Sequence, residues 1–484
     1  MKKLTDILKN TPVREVCGDT AAAIGGLVYD SRAVKPGDCF FAVPGTQSDG
    51  HDYIPIAVEK GAAAIVCERM PADAAEGVAY VLVGDSAGAM ADMAAAFYDY
   101  PSRELKLVGI TGTNGKTTTA TLLYDLVRAM GYKAGLISTV VYKIDGREVE
   151  ATHTTPDSIR LNAMMREMAD AGCAYCFMEC SSHAIVQERT RGLDFAGGIF
   201  SNITHDHLDY HKTFAEYIRA KKLFFDGLPK GAFALTNADD RNGRVMVQNT
   251  AAAVSAYSLR AMADFRCKIV EMHLDGMLLR IDGQELWVGL LGRFNAYNLL
   301  AVYGAAALLG LDRGEVLRVL SMLHAVSGRF EKIRAANGTT AIVDYAHTPD
   351  ALENVIQTIE EIRTPEQQLI VVCGCGGDRD RTKRPEMAAI AVKYATTAVF
   401  TSDNPRHESP EAILDDMVAG LEPGARYLRI ADRAEAIRTA VMLSRPGDII
   451  LVAGKGHETY QIVGDVKHPF DDREEIKKRF ALLN

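Results

Sequence analysis

Short apolar runs alternate with helical stretches and polar turns along the chain. Residues 22–67, "AAIGGLVYDSRAVKPGDCFFAVPGTQSDGHDYIPIAVEKGAAAIVCE", set strand-like runs between Gly, Pro, Asp and Ser, then a helix-like stretch and another strand. That pattern predicts a small α/β unit. Helical spacing in "AGAMADMAAAFYDYPSREL" stops at Pro101, and the strand "LKLVGIT" opens a new unit, so a boundary is expected near residue 100. Strands predicted in "KAGLIST", "YCFMECSSH", "GGIFSNIT" and "GAFALTNADD" then alternate with helices, the rhythm of a parallel sheet covered on both faces. "NAYNLLAVYGAAALLG" predicts a strong helix, and a second boundary fits near "SGRFEKI". Beyond it four further strands, in "TTAIVDYAHTPDAL", "QLIVVCGCGGDRDRTKRPEM", "TAVFTSDNPRHESPEAI" and "GDIILVAGKGHETYQIV", each run into a polar, Gly or Pro turn, predicting a second doubly wound unit. The expected architecture is α/β in three domains: 1–100, 101–332 and 333–484.

Composition narrows the function classes. The 484 residues are 48% hydrophobic and 24% charged, as in a globular enzyme, and no apolar stretch is long enough to cross a bilayer. "MKKLTDILKN" lacks the apolar core of a secretory signal, so a cytoplasmic location is expected. A net charge of −9 argues against nucleic acid or an anionic membrane as main partner, while small anionic ligands need only a few placed cations. Nine cysteines show no repeated spacing, and the C-x-x-C of Cys173 and Cys176 precedes an apolar run rather than following one, so reduced, packed thiols are expected.

Three constellations carry chemistry. In "VGITGTNGKTTTATLL" the loop Gly112, Thr113, Asn114, Gly115, Lys116, Thr117, Thr118 lies where a strand passes to a helix. There backbone N–H groups and the helix amino end can gather round phosphate oxygens, Lys116 adds a mobile cation, and Thr117 offers a hydroxyl to magnesium. The spacing G-x-x-G-K-T is two residues shorter than the common phosphate loop. Magnesium also needs protein oxygens, and Glu179, at the end of "AYCFM", is a carboxylate carried to the sheet edge where open α/β folds hold ligands. "NITHDHLDYH" sets His205, Asp206, His207, Asp209 and His211 after another strand; without a cysteine pair or H-E-x-x-H it suggests one histidine on magnesium or phosphate rather than a zinc site. In the last unit Arg379, Arg381, Lys383 and Arg384, then Asp403 and Arg406, then Lys455, His457 and Glu458 all follow strands and should meet at one sheet edge. Such mixed charge suits a zwitterion, with arginine forks for carboxylates and acidic groups for an ammonium.

In order, "GTNGKTTT", "ECSSHAIVQER", "NITHDHLDYH", "GRFNAYNLLA", "SGRFE", "DYAHTPDAL", "DNPR" and "GKGHE" closely resemble the Mur ligase family of bacterial cell-wall synthesis along essentially the whole chain, and "DNPR" resembles the signature of members that add meso-diaminopimelate. The resemblance implies an amino-terminal domain for a uridine nucleotide, a central ATPase domain of phosphate-loop type and a Rossmann-like carboxyl-terminal domain for the amino acid. It implies that Ser31, Thr46, Gln47 and Ser48 hold the uridine diphosphate, and that Thr154, Thr155, Ser181, Gln187 and Arg189 line the path of sugar and peptide. Asn295, Arg329 and Asp344 would contact ATP. Arg379, Asp403, Asn404, Pro405, Arg406, Gly454 and Glu458 would contact diaminopimelate. In "YIRAKKLFF" the lysine that the family carbamylates is Lys221 rather than Lys222; carbon dioxide would convert this cation into a carboxylate facing magnesium beside Glu179, His207 and Thr117. His153 departs from the Asn that relatives often carry before the two threonines. The implied activity joins an amino acid to the carboxylate of a UDP-muramoyl dipeptide through an acyl phosphate at the expense of ATP, in a monomer acting on small molecules.

Rival readings are an L-lysine-adding member, a folylpolyglutamate synthetase-like ligase, a D-Ala-D-Ala-adding ligase, a GTP-binding regulator and a non-catalytic precursor-binding module. "DNPR" with "GKGHE" opposes the other ligases, Ala238 stands where a guanine-reading N-K-x-D would need lysine, and a module would leave Lys116 without purpose.

Overall fold

The computed structural model describes residues 1–45, 48–151, 153–204, 206 and 208–483. Three large sheets divide the chain, beside two two-stranded ribbons, Lys2–Lys3 with Ala23–Ile24 and Tyr460–Val463 with Val466–Pro469. The first has five strands in the order Val13–Cys17, Ala79–Val83, Ala64–Cys67, Cys39–Phe41, Leu27–Val28. Only its outermost pair, Val13–Cys17 with Ala79–Val83, is antiparallel. The helix Ser86–Phe97, capped by the Asp85 carboxylate, packs alanines and methionines on this sheet.

The second sheet has eleven strands, and its middle carries the chemistry. Lys106–Thr111 lies between Tyr175–Glu179 and Gly197–Phe200, parallel to both, with Ile110 opposite Glu179 and Thr111 opposite Phe200. Both flanking strands therefore end beside the phosphate loop. Leu122, Leu126 and Val127 of the helix Lys116–Ala129 recur at helical spacing and are fully buried with Leu299 and Val302 of the helix Arg293–Leu308. Each such side chain contributes roughly 1.5–3 kcal/mol of burial free energy, holding the loop's helix rigidly on the sheet. On the sheet's other face, Leu161 and Met164 of the helix Ser158–Asp170 and Phe224 and Phe225 of Phe214–Asp226 build a separate core. The sheet is parallel only from Ala134–Ile137 to Phe265–His273; hairpins close both ends with antiparallel strands, Val141–Ile144 with Arg147–Glu150 and Gly276–Ile281 with Gln284–Val288. Val141–Ile144 alternates half-buried and buried residues and Gln284–Val288 ends in an exposed–buried alternation, as strands wetted on one face do.

The third sheet has six strands in the order Glu331–Arg334, Thr340–Asp344, Ile449–Ala453, Leu369–Cys373, Thr397–Phe400, Tyr427–Arg429, parallel apart from the first pair. Three of its strands are wholly buried, and Thr397–Phe400 is buried after its first residue, matching their continuous apolar sequence. All nine cysteines are free thiols, and Cys173 and Cys176 are buried. No helix among the described residues is long and apolar enough to cross a membrane.

Candidate functional site

A cavity of about 540 Å³ opens between the second and third sheets, lined by the phosphate loop on one side and by Asp344, Tyr345, Ala346, His347 and Asp350 on the other. Gly115 precedes the helix in the left-handed region, at φ 85°, and a Cβ there would lie 2.5 Å from the Asn298 side-chain oxygen, so only glycine lets the loop turn so closely beneath that residue. The amines of Lys116 and Lys221 converge: Lys116 Nζ donates to the carbonyls of Gly112 (2.9 Å) and Thr113 (2.8 Å), and Lys221 Nζ also donates to Gly112 O (2.8 Å). Burial lowers the pKa of both, and the nearby Lys116 charge helps push the fully enclosed Lys221 well below the ordinary lysine value.

Glu179 is wholly buried at the end of its strand and accepts hydrogen bonds from Thr139 N (2.7 Å) and Thr139 Oγ1 (3.2 Å). Among the described residues no cation lies in ion-pair contact with it, although it lines the cavity, and a buried carboxylate in that state fits a hard metal ion. Thr117 Oγ1, the other proposed oxygen donor, receives Arg329 Nη2 at 3.1 Å. His207, with His205, lies outside the described residues, as do Thr46 and Gln47. Asp206 is buried and paired with Lys383 of the third domain, and His211 lies 2.8 Å from Ser182 Oγ.

Asp344 closes the opposite wall. Burial raises its carboxyl to about 6, against the pull of Arg329 and the N–H of Phe330, which donates to it at 2.7 Å. Asn295 sits behind the wall, donating to Leu291 O (2.7 Å), while Asn298 forms the lining and donates to Asn295 Oδ1 at 3.2 Å. Sequence reasoning named Asn295 and missed Asn298, although a spacing of three residues puts the two on one helical face.

Around the strand Tyr175–Glu179, Thr155 Oγ1 donates to Glu179 O (2.6 Å) and accepts from Ser181 N, and Arg189 joins Thr155 O (2.7 Å) to Gln187 Oε1 (2.6 Å). Thr154 and Ser181 face the cavity. His153 exchanges backbone hydrogen bonds with the Tyr142 hydroxyl, its N–H donating at 3.1 Å. In the first domain Ser31 is buried at the start of a turn capped by Asp30, and Ser48 is exposed, its carbonyl accepting from Gly45 N.

The charged turns of the third domain do meet at one edge, but the structure spends most of the charge internally. Arg384 is fully buried against Glu408 and Asp416, Arg381 pairs with Glu408, and Lys383 reaches Asp206. Lys455, also fully buried, holds Asn404 Oδ1 and Glu458 Oε2, each at 3.0 Å, while Asn404 Nδ2 donates to the same Glu458 oxygen. The expectation of four available cations in "GDRDRTKR" is thus corrected to Arg379, because the others have long-range acidic partners or a place in another domain. Arg379 and Arg406 alone in these turns lack an ion pair among the described residues, and both flank Gly376. Burial, then the neighbouring Arg379, lowers the pKa of Arg406 against the opposing pull of Asp403, Glu458 and Asp378. Gly454, at φ 116°, lies so close to Asp403 that a Cβ would stand 2.5 Å from its carboxylate, and the Pro405 carbonyl accepts from Glu408 N. Tyr345 links the two clusters, with Arg329 4.6 Å above its ring and the His457 ring 4.9 Å away.

A phosphate loop on whose Gly112 carbonyl two buried lysine amines converge, faced across a cavity by a second α/β domain, fits the class of α/β enzymes that work between a nucleotide-type loop and a second domain. Three family models match the chain: Mur ligase family, catalytic domain over residues 23–98, Mur ligase middle domain over 110–306, and Mur ligase, glutamate ligase domain over 328–456. A UDP-N-acetylmuramoyl-L-alanyl-D-glutamate–2,6-diaminopimelate ligase from Phocaeicola vulgatus is 55% identical over 481 residues, 99% of either chain. A solved structure of a ligase of that name superposes with a TM-score of 0.71 at 31% identity, covering 100% of this chain and 99% of that one. The MurF ligase of Thermotoga maritima, solved in complex with ADP, shares the fold with a TM-score of 0.63 at 18% identity over 95% of this chain and 97% of that one. The chain belongs to the Mur ligase family of ATP-dependent, amide-bond-forming enzymes.

Proposed function

We propose that the protein adds meso-diaminopimelate to the D-glutamate of UDP-N-acetylmuramoyl-L-alanyl-D-glutamate, with ATP converted to ADP through an acyl phosphate. The observation that carries this reading is the pair Arg379 and Arg406, cations with no ion pair among the described residues, beside an Asn404–Lys455–Glu458 cluster, in a chain 55% identical to a relative of that name. On this reading residues 1–100 hold the uridine nucleotide, 101–332 the ATP and 333–484 the amino acid. The enzyme then works as a cytoplasmic monomer on small-molecule substrates in peptidoglycan precursor synthesis.

Lys116 and the amino end of its helix stabilise charge on the phosphoryl group in transfer, where most catalytic advantage in phosphoryl transfer arises. Asn298, Arg329 and Asp344 orient the nucleotide. Thr117, Glu179 and His207 would hold magnesium, which supplies neutralisation of phosphate charge. Lys221 would complete that set as a carbamate: burial and the neighbouring Lys116 lower its pKa, which favours the uncharged amine that reacts with carbon dioxide. Ser31, Thr46, Gln47 and Ser48 hold the uridine diphosphate, while Thr154, Thr155, Ser181, Gln187 and Arg189 guide the peptide. Arg379 and Arg406 grip the carboxylate that diaminopimelate has and lysine lacks, and Asp403 and Glu458 take its ammonium group. Enclosure between the domains protects the acyl phosphate from water.

The test is product mass from the UDP-muramoyl dipeptide and ATP offered meso-diaminopimelate, L-lysine or L-ornithine separately. Product with meso-diaminopimelate is expected; preferential use of lysine refutes the assignment. Lys116→Ala should lose turnover while still binding the dipeptide substrate.

A further inference from the structure

Two carboxylates stitch the third domain to the phosphate loop. Asp350, in the first turn of the helix Pro349–Ile362, accepts Asn114 Nδ2 at 2.9 Å and Thr204 Oγ1 at 3.3 Å. Asn114 is a phosphate-loop residue, and Thr204 is knitted to that loop, its N–H donating to Thr113 Oγ1 at 3.0 Å. A carboxylate at a helix amino end is favoured by the helix dipole and is commonly spent on its own helix's free N–H groups. In this helix Thr348 supplies the cap, leaving the Asp350 carboxylate to reach a different domain. The second stitch has the opposite polarity: Lys383 Nζ, on the third domain, meets the Asp206 carboxylate of the central domain at 2.6 Å, with only 16% and 8% of the two side chains exposed. The next residue, Arg384, is locked by Glu408 and Asp416, so Lys383 leaves from a rigid base and its reach is set by the third domain as a body.

We propose that Asp350 and Lys383 are positioning residues that dock the amino-acid domain on the phosphate loop and thereby fix the approach of the incoming amine to the activated carboxyl group. The inference rests on the function proposed above. Neither side chain touches the reacting atoms in this account. Asp350 fixes the domain against the loop that holds the phosphates, and Lys383 carries the Arg379 turn with it, four residues upstream. A misplacement of about 1 Å between reacting groups can lower a rate a hundredfold, so loss of either stitch should be felt in amide formation far more than in nucleotide binding.

The test uses full-length protein with Asp350→Ala, Asp350→Asn, Lys383→Met and Lys383→Arg. Amide formation with meso-diaminopimelate is followed alongside ADP affinity and thermal unfolding. Asp350→Ala and Lys383→Met should each lower kcat about tenfold to a hundredfold while changing ADP affinity less than about threefold. Asp350→Asn, which keeps an acceptor oxygen, and Lys383→Arg, which keeps the cation, should restore most of the rate. Rates within twofold of wild type in both disruptive variants overturn the proposal. So does a fall in ADP affinity or unfolding temperature that matches the fall in rate, or failure of both conservative variants to recover it. If wild-type protein makes no amide product at all, the function proposed above fails instead, a result separable from any effect of these variants.

Discussion

Replacing Arg406 with methionine tests the substrate reading at its most exposed point. The residue stands in the left-handed region at φ 49°, held there by its N–H on Ile462 O (3.1 Å) and by Gly464 N on its own carbonyl (2.8 Å). A non-glycine residue in that conformation costs of order 1–3 kcal/mol, a strain typical of functional sites. Its Nη1 donates to Gly377 O at 2.8 Å, which aims the guanidinium without neutralising it, and Arg379 beside it adds repulsion. A substrate carboxylate would relieve both. Removing one member of a desolvated, hydrogen-bonded charge pair costs roughly 2–5 kcal/mol; because Arg406 is only partly buried, the lower part, about 2–3 kcal/mol, applies. That corresponds to roughly 30- to 150-fold in discrimination. The assay is kcat/KM for meso-diaminopimelate and for L-lysine in wild type and Arg406→Met. The ratio should fall by that factor, chiefly through loss of diaminopimelate rather than gain of lysine. A ratio unchanged within threefold, in a variant that still unfolds at the wild-type temperature, would refute the argument that Arg406 reads the extra carboxylate.

Three further outcomes follow from buried groups. Lys221 has a folded pKa below its unfolded value, so between those two values the unfolded chain binds more protons and stability rises with pH, by at most about 1.4 kcal/mol per pH unit. Denaturant titrations of unmodified protein should show that rise flattened in Lys221→Met, and bicarbonate enriched in carbon-13 should give a carbamate resonance in wild type alone. Gly454→Ala should raise KM for the amino acid with little change for ATP, since its Cβ would stand 2.5 Å from Asp403 Oδ2 at a φ that L residues resist. Arg433→Ala should cost about 3–5 kcal/mol in chemical denaturation, because it strands the Asp472 carboxylate that now pairs with it at 2.7 Å, both side chains fully buried.

The parts legible in the sequence were those written in neighbouring residues. The phosphate loop is one contiguous strand, glycine turn and helix, and continuous apolar runs such as Leu369–Cys373 announce buried parallel strands before anything is known of their partners. The antiparallel hairpins at the ends of the central sheet escaped, since strands of four to six residues alternate too briefly to stand out. The charged turn at 378–384 shows the deeper limit. Whether Arg384 serves a ligand or the core depends on Glu408 and Asp416, which lie 24 and 32 residues further on, and no local spacing distinguishes it from Arg379. The same holds for Asp350, whose partner in the phosphate loop is 236 residues away.

The connection between the two larger domains has a mechanical consequence. The strand Glu331–Arg334, with which the third sheet begins, is pinned where Lys332 Nζ donates to Leu274 O at 3.0 Å and Asp275 O at 3.4 Å, in the tight turn before Gly276–Ile281. With the Asp350 and Lys383 contacts near the phosphate loop, this makes a further anchorage, well apart in sequence, between the third domain and the central one, so the third domain is tethered by more than the single chain crossing that joins them.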